Sequence, residues 1–114
     1  APKSLTIANR TLSKAQAIVR QYPNNLIKAV TFSDTEQLSF DIIINATSVG
    51  LSGASLAISD NTIKSSMACY DMVYGKEPTD FLIQAKNLGV KHTIDGLGML
   101  VGQAAASFYL LNRF

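Results

Sequence analysis

The run Phe40 to Asn45, FDIIIN, holds three consecutive isoleucines and lacks the alternation of a strand that shows one face to water. A short segment of this kind reads as a strand buried on both faces, which places it inside a parallel sheet. Parallel strands cannot be joined by tight hairpins and need crossover connections, usually helices. The rest of the chain should therefore alternate strand and helix.

It does. Lys3 to Ala8 reads as a strand around Leu5 and Ile7, and Thr11 then stands where a helix N-cap belongs. That helix turns Ala15, Ile18, Val19 and Tyr22 inward and stops at Pro23 and the two asparagines after it. A second strand is expected over Ile27 to Phe32, then one or two helical turns over Ser33 to Leu38 opened by an Asp/Ser cap. After the FDIIIN strand, Ala46 to Asp60 is rich in Ser, Gly and Ala without periodicity, a loop of a length that is uncommon in compact domains and usually functional. Met67 to Tyr74 is a further strand, Thr79 to Leu88 an amphipathic helix closed by Gly89, and Val90 to Ile94 the last strand. The pattern implies an α/β fold, a parallel sheet with helices on both faces.

The stretch from Asp95, DGLGMLVGQ, continues into a helix with almost no charge on any face and is expected to be buried. Leu97, Leu100, Val101, Ala104, Phe108 and Leu111 form a stripe that should pack on a sheet. Gly98 and Gly102 lie four apart on another line, and Gln103 is the one amide in the apolar part of the helix. Two readings suit these residues. The glycines serve packing and Gln103 bonds a nearby carbonyl, or the line admits a ligand that Gln103 recognises.

Composition narrows the function. Hydrophobic residues make up 47% of the 114 residues and charged ones 16%, so part of the apolar surface is expected to face something outside this sequence. The net charge of +2 comes with scattered lysines and no basic tract, which argues against nucleic acid as a partner. No apolar run reaches membrane-spanning length, and the start of the chain lacks the order of a signal peptide, so no membrane role is expected. The single cysteine, Cys69, sits in an apolar strand and is read as an inert buried thiol, which fits a reducing cytoplasm. The strand-like opening reads as a segment of a longer protein.

In open parallel sheets, ligands bind just past the carboxyl ends of the strands. After the first strand come Asn9, Arg10 and Thr11, with Lys14 one turn on. In dinucleotide-binding folds an acid at this place bonds the ribose 2′ hydroxyl, whereas an arginine accepts a 2′ phosphate; no acid stands here. The same four residues equally suit a capped helix with two solvated cations. After FDIIIN come Ala46, Thr47 and Ser48, suited to line a ribose or nicotinamide or simply to form Asx and Ser turns. After the next strand, Met72 and Tyr74 follow Asp71, as ligand contacts or as gap-filler and half-buried core.

Taken together, NRT, NATS, YDMVY and DGLGMLVGQA, in this order and spacing, resemble the C-terminal part of the shikimate dehydrogenases and their quinate/shikimate relatives, over essentially the whole chain. The resemblance implies a Rossmann-like NADP-binding domain over residues 1–114 and, in the complete enzyme, NADP-linked interconversion of 3-dehydroshikimate and shikimate in aromatic amino acid biosynthesis. By that likeness Asn9, Arg10, Thr11 and Lys14 hold the 2′ phosphate and Thr47 and Ser48 line the cofactor groove. Met72, Gly96 and Met99 lie along the cofactor, and Tyr74 and Gln103 reach the substrate.

The resemblance also implies what this sequence lacks: the first β-strand, the glycine-rich turn for the pyrophosphate, the N-terminal substrate domain with its catalytic lysine and aspartate, and a closing helix. No catalytic residue is assigned here, and the isolated chain is expected to be inactive. The lacking strand would stand between those ending at Asn9 and Asn45, so two sheet edges need cover: either the two strands close up against each other, or a second copy pairs with them in a homodimer, or a further part of the protein fills the gap, and the apolar composition favours association. The competing readings are a Rossmann-like binding or scaffold module without catalysis, and a different NADP-linked oxidoreductase, which Tyr74 and Gln103 disfavour. His92, mid-strand, is read as structural, and Asp71 and Asp95 as turn or cap residues.

Overall fold

The computed structural model describes residues 3–22, 25–48 and 56–112, with side chains to residue 106. Pro23 and Asn24, residues 49–55 of the Ser/Gly/Ala loop, and the side chains of Phe108 and Leu111 lie outside the described residues. The chain divides into two compact units, one drawn from Ala1–Ser39 and Ala57–Thr62, the other from Phe40–Leu56 and Ile63–Phe114.

The first unit contains a βαβ crossover of parallel strands. Strand β1 (Leu5–Ala8) pairs with β2 (Ile27–Val30) in the register Leu5 with Ile27 to Ala8 with Val30, and α1 (Leu12–Gln21) crosses between them. Thr11 takes the extended conformation of an N-cap, but its side chain makes no capping bond. Of the expected inner face of α1, Ala15 is fully buried, whereas Ile18 and Tyr22 are exposed. After β2, Thr31 N–H donates to Asp34 Oδ2 at 3.0 Å and Asp34 N–H donates to Thr31 Oγ1 at 3.3 Å. This reciprocal box opens a 3-10 turn over Ser33–Gln37. Hydrogen bonding to the carboxyl by Thr31, first its backbone N–H and then its side chain, holds the exposed Asp34 below its ordinary range.

The second unit holds three parallel strands in the order β3 (Ile42–Asn45), β4 (Ala68–Asp71), β5 (His92–Ile94). Helix α3 (Asp80–Asn87) connects β4 to β5 and packs on both. Its ends follow the local chemistry: Thr79 Oγ1 accepts from Leu82 N–H, and Gly89 takes φ 86°, where a side chain would be strained. Phe81, Leu82 and Ala85 of α3 join Ile43, Ile63, Cys69 and Val90 in the core of this unit. Burial raises the Cys69 thiol, and the Ser66 hydroxyl 3.3 Å away opposes this only in part. The inert-thiol reading stands.

The α/β expectation holds, with parallel strands and intervening helices, and three local expectations need correction. Strand β3 is buried on one face only: Ile43 and Asn45 are buried, whereas Ile42 is 62% and Ile44 58% exposed. A short helix, α2 (Asp60–Lys64), begins where the long loop was expected to end, with Ser59 Oγ accepting from Thr62 N–H at 3.3 Å. The last helix, α4 (Leu97–Asn112), is not buried, since every described side chain from Leu97 to Ala106 is exposed. In both β3 and α4 the apolar residues are where the pattern put them. A period specifies which residues share a face, not what covers it. The described strands also fall in two sheets and not one.

Candidate functional site

In the first unit the candidate residues gather at the carboxyl end of β1. Asn9 N–H donates to Val30 O at 3.4 Å, extending the β1–β2 ladder by one residue. Its side-chain Oδ1 accepts from Thr11 N–H at 2.9 Å, an Asx turn that swings the chain into α1. Asn9 thus shapes the turn. Arg10, Thr11 and Lys14 are all exposed on it. The first turn of α1 contains no acidic residue. The positive end of a helix whose amide groups lack a side-chain cap, with Arg10 and Lys14 beside it, is an anion-favouring arrangement.

In the second unit the carboxyl ends of β3, β4 and β5 carry the other candidates. Asn45, 3% exposed, accepts at Oδ1 from Thr47 N–H at 3.0 Å and from the Thr47 hydroxyl at 2.6 Å. Its Nδ2 donates to Asp71 Oδ2 at 3.2 Å. Asp71, wholly buried, also accepts from Thr79 Oγ1 at 2.7 Å and, at Oδ1, from Val73 N–H at 3.0 Å. Ser48 is exposed one residue beyond Thr47. Met72 N–H donates to Asn45 O at 3.1 Å, so the β3–β4 ladder runs on into the edge.

The chain after β5 returns to the same edge. Gly96 is buried with its backbone against Met72, and a Cβ at Gly96 would stand 2.0 Å from Met72 O. Only glycine fits that approach. Asp95 Oδ1 accepts from Leu97 N–H at 3.0 Å, an Asx turn that starts α4 and bears out the turn role expected for Asp95. Met72 is 41% exposed, Tyr74 47% and Met99 46%. Tyr74 lines an open depression of about 230 Å³ with Val73, Gly75, Glu77, Pro78, Thr79 and Asp80. Gln103 is exposed on α4, so the expectation of a buried amide is corrected. Among the described residues a Cβ at Gly98 or Gly102 would meet nothing within 4 Å, so neither glycine serves a close contact there.

The structure therefore places Asn9, Arg10, Thr11 and Lys14 on one strand end, and Thr47, Ser48, Met72, Tyr74 and Gly96 on the linked strand ends of the second unit. Met99 and Gln103 ride on the exposed helix that follows. The sequence reading missed the buried Asn45–Asp71–Thr79 network. Its one visible signal was an Asp at the end of an apolar strand, with a Thr eight residues on at a helix cap. Among the described residues no cluster of His, Cys, Asp and Glu could hold a metal ion, and no helix is long and apolar enough to cross a membrane. His92, at the start of β5, is exposed.

The family model described as Shikimate / quinate 5-dehydrogenase matches residues 1–69. A protein named shikimate dehydrogenase (NADP(+)) from Colwellia psychrerythraea is 50% identical over 107 residues, 94% of this chain and 39% of that protein. A protein of the same name from Shewanella halifaxensis is 51% identical over 110 residues, 96% of this chain and 39% of the relative. Among solved structures, an Ael1 enzyme from Pseudomonas putida superposes with a TM-score of 0.89 at 34% identity, over 96% of this chain and 41% of that one. Shikimate dehydrogenase from Thermotoga maritima superposes at 0.79 with 28% identity, over 98% of this chain and 42% of that one. The chain spans about 40% of the length of the curated relatives it matches. With a family model over more than half its length and strand ends arranged as described, this chain belongs to the shikimate/quinate 5-dehydrogenase family.

Proposed function

We propose that this chain is the NADP-binding portion of a shikimate dehydrogenase that reversibly reduces 3-dehydroshikimate to shikimate in aromatic amino acid biosynthesis. The observation that carries the NADP reading is the β1–α1 turn: two exposed cations, no carboxylate in the first helical turn, and helix amides without a side-chain cap. An acid there would repel a 2′ phosphate, whereas Arg10 offers a planar fork of donors and Lys14 a second positive charge. Asn9 and Thr11 complete this subsite, Asn9 by holding the turn in shape. The relatives' printed names, shikimate dehydrogenase (NADP(+)), support the same cofactor and reaction.

NADPH, when bound, supplies the hydride that reduces the substrate ketone. The residues of this chain bind and orient. Thr47 and Ser48 line the cofactor groove at the end of β3, and Met72, Gly96 and Met99 form the wall along the nicotinamide end. Tyr74 and Gln103 present a phenol and an amide to the hydroxylated substrate ring. Proton transfer is assigned to no residue of this chain, and the 114-residue chain by itself is inactive in this reading. The apolar faces of Ile42 and Ile44 on β3 and of Leu97, Leu100 and Val101 on α4 are covered in the working protein, by its remaining sequence or by a second copy in a homodimer. We place the protein in the cytoplasm, where a reduced Cys69 persists.

A calorimetric titration tests the cofactor assignment. NADP should bind more tightly than NAD, and Arg10→Ala should weaken NADP by about 1 to 3 kcal/mol, as expected for a lost charge-assisted contact, with little effect on NAD. Equal weakening of both would remove Arg10 from the phosphate subsite.

A further inference from the structure

In the second unit one buried carboxylate stands behind three candidate binding residues without itself reaching the surface. Asp71 has no exposed area, and donors meet both its oxygens: Val73 N–H at Oδ1, and Asn45 Nδ2 and Thr79 Oγ1 at Oδ2. Backbone amides fix the direction of each of these bonds, because an N–H can only donate. Thr47 N–H faces the Asn45 side chain, so the atom there is Oδ1 and the amide nitrogen must point at Asp71. Leu82 N–H faces Thr79 Oγ1, so that oxygen accepts there and its proton goes to Asp71. The Thr47 hydroxyl likewise donates to Asn45 Oδ1. With an acceptor at position 71 the pattern closes, and with a donor there it does not.

We propose that Asp71 is a positioning residue: from inside the sheet it sets the polarity of Asn45, and through Asn45 the orientation of Thr47, while its bond to Val73 N–H fixes the segment that carries Met72 and Tyr74. The proposal rests on the function proposed above only in taking Thr47 as a cofactor contact and Tyr74 as a substrate contact. An asparagine at 71 would turn its NH2 towards the Asn45 NH2 or the Val73 N–H. Relief would require the Asn45 amide to rotate, which would set its NH2 against Thr47 N–H. Exchanging the two residues repairs most of this. An aspartate at 45 accepts both bonds from Thr47 and one from the amide at 71, whose oxygen still accepts from Val73 N–H.

The test compares wild type, Asp71→Asn and the exchanged pair Asn45→Asp/Asp71→Asn, in the protein expressed with whatever sequence its gene places on either side of this chain. The Thr47 amide resonance in 1H–15N spectra should move in Asp71→Asn and return in the exchanged pair. The KM values for NADP and shikimate should rise about tenfold in Asp71→Asn and fall to within about threefold of wild type in the pair, with kcat per folded molecule changing less than KM. A merely structural role would lower the folded fraction, hence apparent kcat, and leave KM in place. Unchanged KM and an unmoved Thr47 resonance in Asp71→Asn would overturn the proposal. So would an exchanged pair that regains thermal stability without regaining KM, or one that fails to fold. If wild type turns over no shikimate, the proposed reaction fails, and the Thr47 resonance still decides the role of Asp71.

Discussion

Replacing Gly96 by alanine gives the most sharply bounded prediction. The added Cβ would lie 2.0 Å from Met72 O, 2.7 Å from Met72 C and 3.3 Å from its Cα, all backbone atoms that no rotamer change can move aside. Ordinary Cβ contacts do not fall below 3.0 Å, so the chains after β4 and β5 must part by at least about 1 Å. That movement strains the bond from Gly96 N–H to Val73 O at 3.4 Å and the bond from Met72 N–H to Asn45 O at 3.1 Å. Overpacking of this kind costs about 1 to 3 kcal/mol, and a lost hydrogen bond about 1 kcal/mol. Gly96→Ala should therefore destabilise by about 2 to 4 kcal/mol. The control is Gly98→Ala, two residues on in α4, where a Cβ meets nothing within 4 Å among the described residues. There the gain in helix propensity should stabilise by up to about 1 kcal/mol. Urea unfolding followed by circular dichroism measures both. A midpoint for Gly96→Ala equal to or above wild type would refute the close-approach argument.

Burial holds the Cys69 thiol above its ordinary pKa, so the unfolded chain ionises first. Stability is intact below the ordinary thiol pKa and declines as pH rises beyond it. Cys69→Ser or Cys69→Ala should flatten this alkaline limb, and a maleimide should label wild type only as fast as it unfolds, in contrast to an exposed thiol. The depressed Asp34 works in the opposite direction. Its contribution is present above the ordinary carboxyl pKa and lost as pH falls through its lowered value, so Asp34→Asn should flatten part of the acid limb of a stability profile.

Local chemistry was the most legible part of the sequence. Thr79 and Gly89 bracket α3 as an N-cap and a left-handed glycine should, and Asp34 opens its 3-10 turn with Thr31 as its partner. Ile42, Ile43 and Ile44 were readable as a strand but not as one covered on a single face, because cover is a property of other segments. The same holds for α4, whose described stripe residues, Leu97, Leu100, Val101 and Ala104, were correct in spacing and wrong in burial. Helix α2 is too short for its period to show, leaving Ser59 as its only mark. The Asp71–Asn45 bond joins residues 26 apart, and no local pattern reports a contact at that distance. The β1–α1 turn, in contrast, was legible because Asn9, Arg10, Thr11 and Lys14 are neighbours in the chain as well as in space.

The most direct measurement is steady-state NADP reduction by shikimate, followed at the absorbance of NADPH, for the protein expressed with its native flanking sequence and for the 114-residue chain side by side. Turnover is expected from the former, faster with NADP than with NAD and with that preference narrowed by Arg10→Ala, and none from the latter. Turnover that is indifferent to the 2′ phosphate, or no oxidation of shikimate or quinate by the protein with its flanking sequence, would contradict the proposed function.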